Sequence, residues 1–538
     1  MSAVPAVEPA EAPEQKSWTA GMAPAYIGTF LWAAFFDGLG RGPLATGGLI
    51  PTLAGVTAAA TLAYLLLYRG PAYWGFAARR PLDDLARSTF GARGSAVVPN
   101  LAIAVGQVAL FAVGVGLATD YMLGGLVDLG MIEPRVIRPL AWRGATVPSP
   151  LFLTTALVWG TVTALVGMGI VRWIAAIMQY FPVFPAAGLA LVVASTFAGL
   201  PAFRAPGLDP ATGLALAADL GARVAFLAAF QWTFGFAALL GLAGADWGAA
   251  SLTRRDVRDG GFVGIAVAPV VVASLALLAV AGHVGKVQDR AALVAPDPAP
   301  GPLPRAAPAT RSRLGPLVPP PTASPARAAA PRPALAAAPA PGPGRPEVDA
   351  RFTFRAAVLG SLDRRLAATI LITFGLASLA PACFAAFDFG RRFARVAPGF
   401  SRPAWTLAGV AAGWLLVVAG WHERADLVFT LLGALLAPVA GALTADSARR
   451  RPADPVAPAA LNLAGLLAWV VGVAVGLLPI VGRAAGVAAL ARVPVPALLA
   501  FLAAAVAYRL AAVVGLEPRR PAPAGPTAGS PVSPPSGS

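Results

Sequence analysis

Along this chain the apolar positions come in blocks, not in the alternating or one-sided patterns of strands and helices that face water on one side. An apolar run of about 20 residues is long enough to cross the hydrocarbon core of a bilayer as a helix. Twelve such runs predict twelve spans, at about 22–40, 44–68, 95–119, 151–171, 175–199, 223–244, 261–283, 366–387, 404–421, 425–444, 457–480 and 491–514. Tyr68, Tyr73 and Trp74 follow the second run, as aromatic residues do at a membrane interface. The pattern is that of an all-α polytopic membrane protein.

The first run has an unusual texture. After an apolar start it reaches Asp37 within Gly38, Gly40, Arg41, Gly42 and Pro43, then turns apolar again. Glycine and proline weaken helix hydrogen bonding. Backbone freed at membrane depth survives only where it is buried in protein or lines a polar cavity. The sequence therefore predicts a discontinuous first helix with a small-molecule site at the break, and Asp37 and Gly38 as substrate contacts. A carboxylate at membrane depth is costly enough to mark a functional site. Its structural alternatives are pairing with Arg41 one turn later or capping the next half-helix.

Composition agrees with this reading. The chain has 538 residues, 57% hydrophobic and only 12% charged, against about 25% charged in soluble domains. No secretory signal is read in Met1 to Gly21, a Pro/Ala/Glu-rich stretch without a basic start or an apolar core. One cysteine, Cys383, excludes an internal disulfide and a cysteine metal cluster. His283 and His422 are distant in sequence and near predicted span ends, which argues against a metal site.

The formal charge of +16 resides in arginine-rich connecting segments, and nine basic residues fall in one proline-rich tract. That placement points to lipid headgroups and membrane topology and excludes nucleic acid as a partner. Arg69, Arg79, Arg80, Arg87 and Arg93 follow span two; Arg254, Arg255 and Arg258 follow span six; Arg391, Arg392 and Arg395 follow span eight. The alternate connections are poorer in basic residues, so both termini are predicted to be cytoplasmic in a multi-pass protein of the cell (inner) membrane. The organisation expected is a disordered tail at 1–21, a first membrane section at 22–283, a Pro/Ala/Arg-rich disordered linker at 284–352, a second membrane section at 353–514 and a disordered tail at 515–538. No soluble catalytic domain remains, so no enzyme activity and no cofactor are predicted.

Three stretches carry a family resemblance. Ala86 to Ser95, ARSTFGARGS, stands before span three; Gly244 to Arg255, GADWGAASLTRR, ends span six; Phe374 to Cys383, FGLASLAPAC, lies in span eight. Together with the twelve spans they resemble the nucleobase–cation symporter family, the cytosine, hydantoin and allantoin permeases. The resemblance implies a leucine-transporter-type fold: two inverted five-helix repeats, spans one and six broken at mid-membrane, and two further helices. It also implies cation-coupled symport of a nucleobase-like solute, driven by Na+ or H+. That family reads its ring with a tryptophan and a glutamine in span three and an asparagine in span eight. Here the aligned span-three residues are Leu110 and Gly114, and span eight has no amide. The solute's hydrogen-bonding edge then falls to Gln107, Gln231, Asp37 or backbone.

The remaining site residues are Gln231, a hydrogen-bonding amide, and Trp232 and Phe236, aromatic faces beside glycines in span six that would form the second break. Each has an ordinary alternative, as helix–helix hydrogen bonding or packing. Ser378 stands where the family's span eight offers a hydroxyl to sodium, and its alternative is bonding its own helix backbone. Asp246 is expected near the end of span six, solvated or paired with Arg254 or Arg255. Gly38-Leu-Gly-Arg-Gly-Pro43 lacks the context of a phosphate loop, and Asp388-Phe389-Gly390 lacks every other kinase element. An amino-acid or vitamin permease, or a non-transporting sensor or scaffold of the same fold, are the competing readings.

Overall fold

A computed structural model describes residues 15–20, 33–142, 145–169, 180, 182–208, 215–294, 351–450 and 459–518. The apolar runs fold as helices because no other open structure satisfies its backbone groups inside hydrocarbon. We number the twelve long helical segments in chain order. They are α1 (33–47), α2 (Leu49–Ala78), α3 (Ala92–Asp128), α4 (Pro150–Gly169), α5 (Val183–Ala202) and α6 (Ala218–Ala250). The series continues with α7 (Arg254–Ala291), α8 (Arg364–Val396), α9 (Arg402–Val418), α10 (Trp421–Ser447), α11 (Leu463–Ala484) and α12 (Pro496–Val513). Ten of them are long and apolar enough to cross a membrane; α9 is shorter and the described part of α1 is shorter still. Two-turn helices precede α3 (Leu82–Phe90) and α8 (Phe354–Ser361), and a small antiparallel hairpin pairs Leu140–Trp142 with Ala145–Val147 between α3 and α4.

Helix ends are set by local chemistry. Gly48 (φ 89°) separates α1 from α2, and Gly91 (φ 81°) separates Leu82–Phe90 from α3 in backbone that only glycine enters freely. Thr353 caps Phe354–Ser361 through the Ala356 N–H (3.0 Å), and Asn462 caps α11 through Ala464 N–H (3.1 Å).

The packing forms two cores. One joins α3, α4, α8 and α9: Phe111, Phe152, Phe389 and Val410 interlock with alanines at Ala112, Ala156, Ala385 and Ala386. The larger core gathers α1, α2, α6, α7 and α10 around Phe35, Phe36, Tyr68, Phe234, Phe236, Val280 and Phe429. In the second core α2 and α6 approach until backbones touch. A Cβ on Gly75 would meet the Ala245 carbonyl, and one on Gly248 the Ala72 carbonyl. Without a hydrophobic drive between helices in lipid, close packing of small residues supplies the attraction.

The predicted breaks do not form as expected. Residues 33–47 run on as one helical segment, with a π turn over Gly40–Leu44 that absorbs Pro43, and the chain opens only at Gly48. Helix α6 is continuous from Ala218 to Ala250. Its glycines serve contact instead of breakage: Gly235 lies against the Phe429 carbonyl, Gly241 against Leu67 and Gly244 against Tyr68. A turn does interrupt α8, at Ser378. The helix that follows the π turn Phe262–Val267 continues to Val294, beyond the predicted span end at 283, and Phe352 is already buried. Residues 1–14, 21–32, 170–179, 295–350, 451–458 and 519–538, which hold most of the predicted tails and linker, the start of span one, the end of span four and the start of span five, lie outside the described residues. Within the predicted tails, Trp18 donates its N–H to Asp256 (3.1 Å) and Glu517 accepts from Arg450 (2.6 Å).

Gly248→Leu is expected to destabilise the protein by about 1–3 kcal/mol by forcing α2 from α6, whereas Gly399→Leu, at a position with open space around it, leaves stability unchanged. Denaturation of the two variants in detergent micelles measures this.

Candidate functional site

A cavity of about 470 Å³ opens at the end of the molecule opposite residues 15–20, between α1, α3, α6 and α10. Such a volume suits a small organic solute. Its floor is made where α1 meets α6. Gly38 has no side chain, and the Trp232 indole of α6 occupies the space a Cβ there would need. Trp232 also meets Phe429 edge-on at 4.8 Å. Its ring is thereby fixed against bare helix backbone with part of its surface toward the cavity.

Asp37 lies at the same level and is buried. Its Oδ1 accepts the Phe354 N–H (2.8 Å), and its Oδ2 accepts the Tyr121 hydroxyl of α3 (3.3 Å). The carboxylate thus sits at the N-terminus of Phe354–Ser361, where free N–H groups favour negative charge. The alternative pairing with Arg41 does not occur: Arg41 is exposed in the cavity and makes no ion pair among the described residues. Gln231 reaches sideways, its Oε1 accepting from the Ala497 N–H of α12 (3.2 Å), while its Nε2 has no partner among the described residues. Asp37, Gly38, Gln231 and Trp232 are brought together on one cavity wall.

Three predicted residues stand elsewhere. Phe236, 1% exposed, is one turn below Trp232 and contacts Phe35 (6.1 Å between ring centres) and Phe429 (5.0 Å). It closes the floor without lining the cavity. The Ser378 hydroxyl donates to the Gly375 carbonyl (2.8 Å) and accepts the Trp159 indole N–H of α4 (3.0 Å). It faces α4, away from Asp37. Gln107 donates to Asp388 (3.3 Å) in a second cavity, of about 300 Å³, toward the end that carries residues 15–20.

That second cavity is closed by an ion network. Asp388 accepts from Arg392 (2.9 Å) and Arg391 (3.0 Å); Arg392 also donates to Asn100 (3.0 Å) and Asp83 (3.4 Å); Arg395 pairs with Asp83. Asp246 accepts the Leu82 N–H (2.8 Å) and stands 3.8 Å from Arg391 and 3.7 Å from Arg392. Its partners come from α8, not from the neighbouring Arg254 and Arg255. The network holds α8 to α6 and to the segment after α2, across the two cores. Between the two cavities stands a layer of apolar side chains, with Phe35, Phe236 and Phe429 each 1% exposed.

Sequence reading missed Asp388, whose arginines three and four residues on share one helix face, and Asp120 and Tyr121, which lie within α3 but beyond the predicted end of span three. It also missed Arg355 and His422 of the upper cavity, which no local pattern marks.

Neither a protein-family model nor a curated protein matches the chain. Solved structures do. A structure of Mhp1, a nucleobase-cation-symport-1 family transporter, in a closed conformation with bromovinylhydantoin bound, is 13% identical, with a TM-score of 0.56 over 95% of this chain and 97% of that one. The inward-facing conformation of Mhp1 is similar at 13% identity and TM-score 0.57, covering 96% and 97%. A substrate-bound outward-open Na+-coupled sialic acid symporter matches at 10% identity and TM-score 0.52, covering 94% and 91%. The fold is therefore the leucine-transporter type, with α1–α5 and α6–α10 as its two five-helix repeats and α11 and α12 as additions.

Arg392→Leu leaves the buried Asp388 with Arg391 and Gln107 as its partners and is expected to cost about 1.5–3 kcal/mol of stability, the worth of a hydrogen bond to a charged group. Denaturation in micelles measures this, and an unchanged stability would show that Arg391 compensates fully.

Proposed function

We propose that this chain is a secondary active transporter: a cation-coupled symporter of a small polar or heterocyclic solute, nucleobase-like compounds foremost, working by alternating access. The observation that carries the proposal is the pair of polar cavities on opposite sides of one thin aromatic layer, with α3 and α8 contributing to both packing cores and so lying between the group of α1, α2, α6 and α7 and that of α4 and α9. Solute enters the larger cavity and rests its ring on Trp232 beside Gly38, with Asp37 and, after a turn of its side chain away from Gly433, Gln231 supplying hydrogen bonds. Rotation of one helix group against the other closes that cavity and parts Asp83 and Asp246 from the α8 arginines, which opens the second cavity.

The ion network then acts as the gate on the far side of the solute. Its cost of separation must be offset by the solute and the cation together, because a ligand shifts an equilibrium only by its differential affinity for the two states. We place both termini in the cytoplasm of a cell membrane, following the arginine distribution, so that the larger cavity faces outward. The coupling cation, Na+ or H+, is assigned to the carboxylate of Asp37, which keeps unused lone pairs beside the cavity.

Uptake of labelled uracil, cytosine, hydantoin and allantoin into proteoliposomes, with and without a sodium or proton gradient, tests the proposal. Gradient-dependent accumulation of at least one is expected. Asp37→Asn retains an acceptor for the Phe354 N–H but loses the charge, and is expected to lower gradient-driven uptake by about tenfold or more, since a hydrogen bond to a charged group is worth roughly 1.5–3 kcal/mol. Unchanged coupled uptake in this variant removes Asp37 from the mechanism.

A further inference from the structure

The upper cavity holds more charge than a neutral ring requires. It is lined by the carboxylates of Asp37, Asp120 on α3, and Glu423 and Asp426 at the start of α10, and by the arginines Arg41 from the π turn of α1, Arg355 from the turn after Thr353 and Arg483 at the end of α11. Arg41 and Arg355 make no ion pair or hydrogen bond with any described residue. The lower network pairs every arginine it contains, which sets the two cavities apart.

Their placement is also built. The Arg355 guanidinium lies against bare backbone at Gly124 of α3, in the space a Cβ would fill. Phe354, its neighbour, donates to Asp37, which fixes the start of the short helix that carries Arg355. Tyr121, Arg41 and Arg355 line the same cavity as Asp37. His422, 4% exposed, adds a cavity-lining ring stacked on Phe152 (5.2 Å), whose Nδ1 has no partner among the described residues.

Resting on the transporter reading above, we infer that the solute carries a carboxylate, held by Arg41 and Arg355, with its ring or apolar body on Trp232. Guanidinium groups bind carboxylates through paired, charge-assisted hydrogen bonds. Asp37, Asp120, Glu423 and Asp426 on the same walls repel a second negative charge, which favours a monoanion over a phosphate dianion. Arg355 is half-buried and Arg41 is exposed in the cavity, so Arg355 loses more water on binding and is the stronger discriminator of the two against a solute without the carboxylate.

Matched pairs of probes test this: uracil with orotate, hydantoin with hydantoin-5-acetate, and nicotinamide with nicotinate, titrated calorimetrically into the full chain in micelles. In at least one pair the carboxylate is expected to bind about tenfold or more tightly than its neutral partner. Arg41→Gln and Arg355→Gln should bring that affinity ratio toward one, and Arg355→Lys, which keeps the charge without the fork, should retain part of it. If the neutral members bind as tightly as the carboxylates and the ratio is the same in the arginine variants, the inference is overturned while the transporter reading stands. If no member of any pair binds, the inference falls, and absence of uptake in the proteoliposome experiment decides whether the transporter reading falls with it.

Discussion

A carboxylate inside a bundle of apolar helices has to be given donors, and the way Asp37 is given its two organises the centre of this molecule. One comes from the start of the short helix before α8, the other from Tyr121 on α3. The side chain of α1 is thereby bonded to α3 and to the segment before α8, at the floor of the larger cavity. At the opposite end the ion network around Asp388 makes the second polar connection between the two helix groups. The aromatic layer between these two connections is apolar and thin. The arrangement separates two cavities while leaving either polar connection free to be remade with solvent or solute.

The same economy of polar groups explains the packing. In hydrocarbon, helices gain nothing by hiding apolar surface from water, so attraction depends on close approach. Glycine at Gly75, Gly241 and Gly248 lets α2 and α6 meet backbone to backbone. The alanine-rich core of α3, α4, α8 and α9 is a separate packing unit. Gly38 is different: it makes room for a side chain, Trp232, and so shapes the cavity.

The spans were legible because bilayer thickness forces each apolar run to a minimum length, which the sequence cannot disguise. Their ends were less so: α3 runs from Ala92 to Asp128, beyond the predicted 95–119, and this hid Asp120 and Tyr121 from a search for charge at membrane depth. Glycine was ambiguous, since the same residue breaks a helix or admits a neighbour. In α6 the second use prevailed at Gly235, Gly241 and Gly244. In α1 a π turn accommodates Pro43 without unwinding the chain. The grouping of Asp37, Gly38, Gln231 and Trp232 was legible from rare polar residues in apolar runs. Gln107 belonged to the other cavity because a helix carries residues ten or more positions apart to different depths. Asp388 was set aside as part of a chance tripeptide, although its spacing to Arg391 and Arg392 marked a paired helix face.

The central claim is that the two cavities are alternately open across one aromatic layer. The native Cys383 is buried, and its replacement by serine gives a background for single cysteines at Ala228 in the larger cavity and Ala243 in the smaller one. Labelling by a membrane-impermeant thiol reagent, applied from each side of sealed vesicles with and without a transported solute and its cation, follows both cavities. Reciprocal change is the predicted result, with one site protected as the other becomes reactive. Labelling of both sites that never responds to solute or cation would contradict the account.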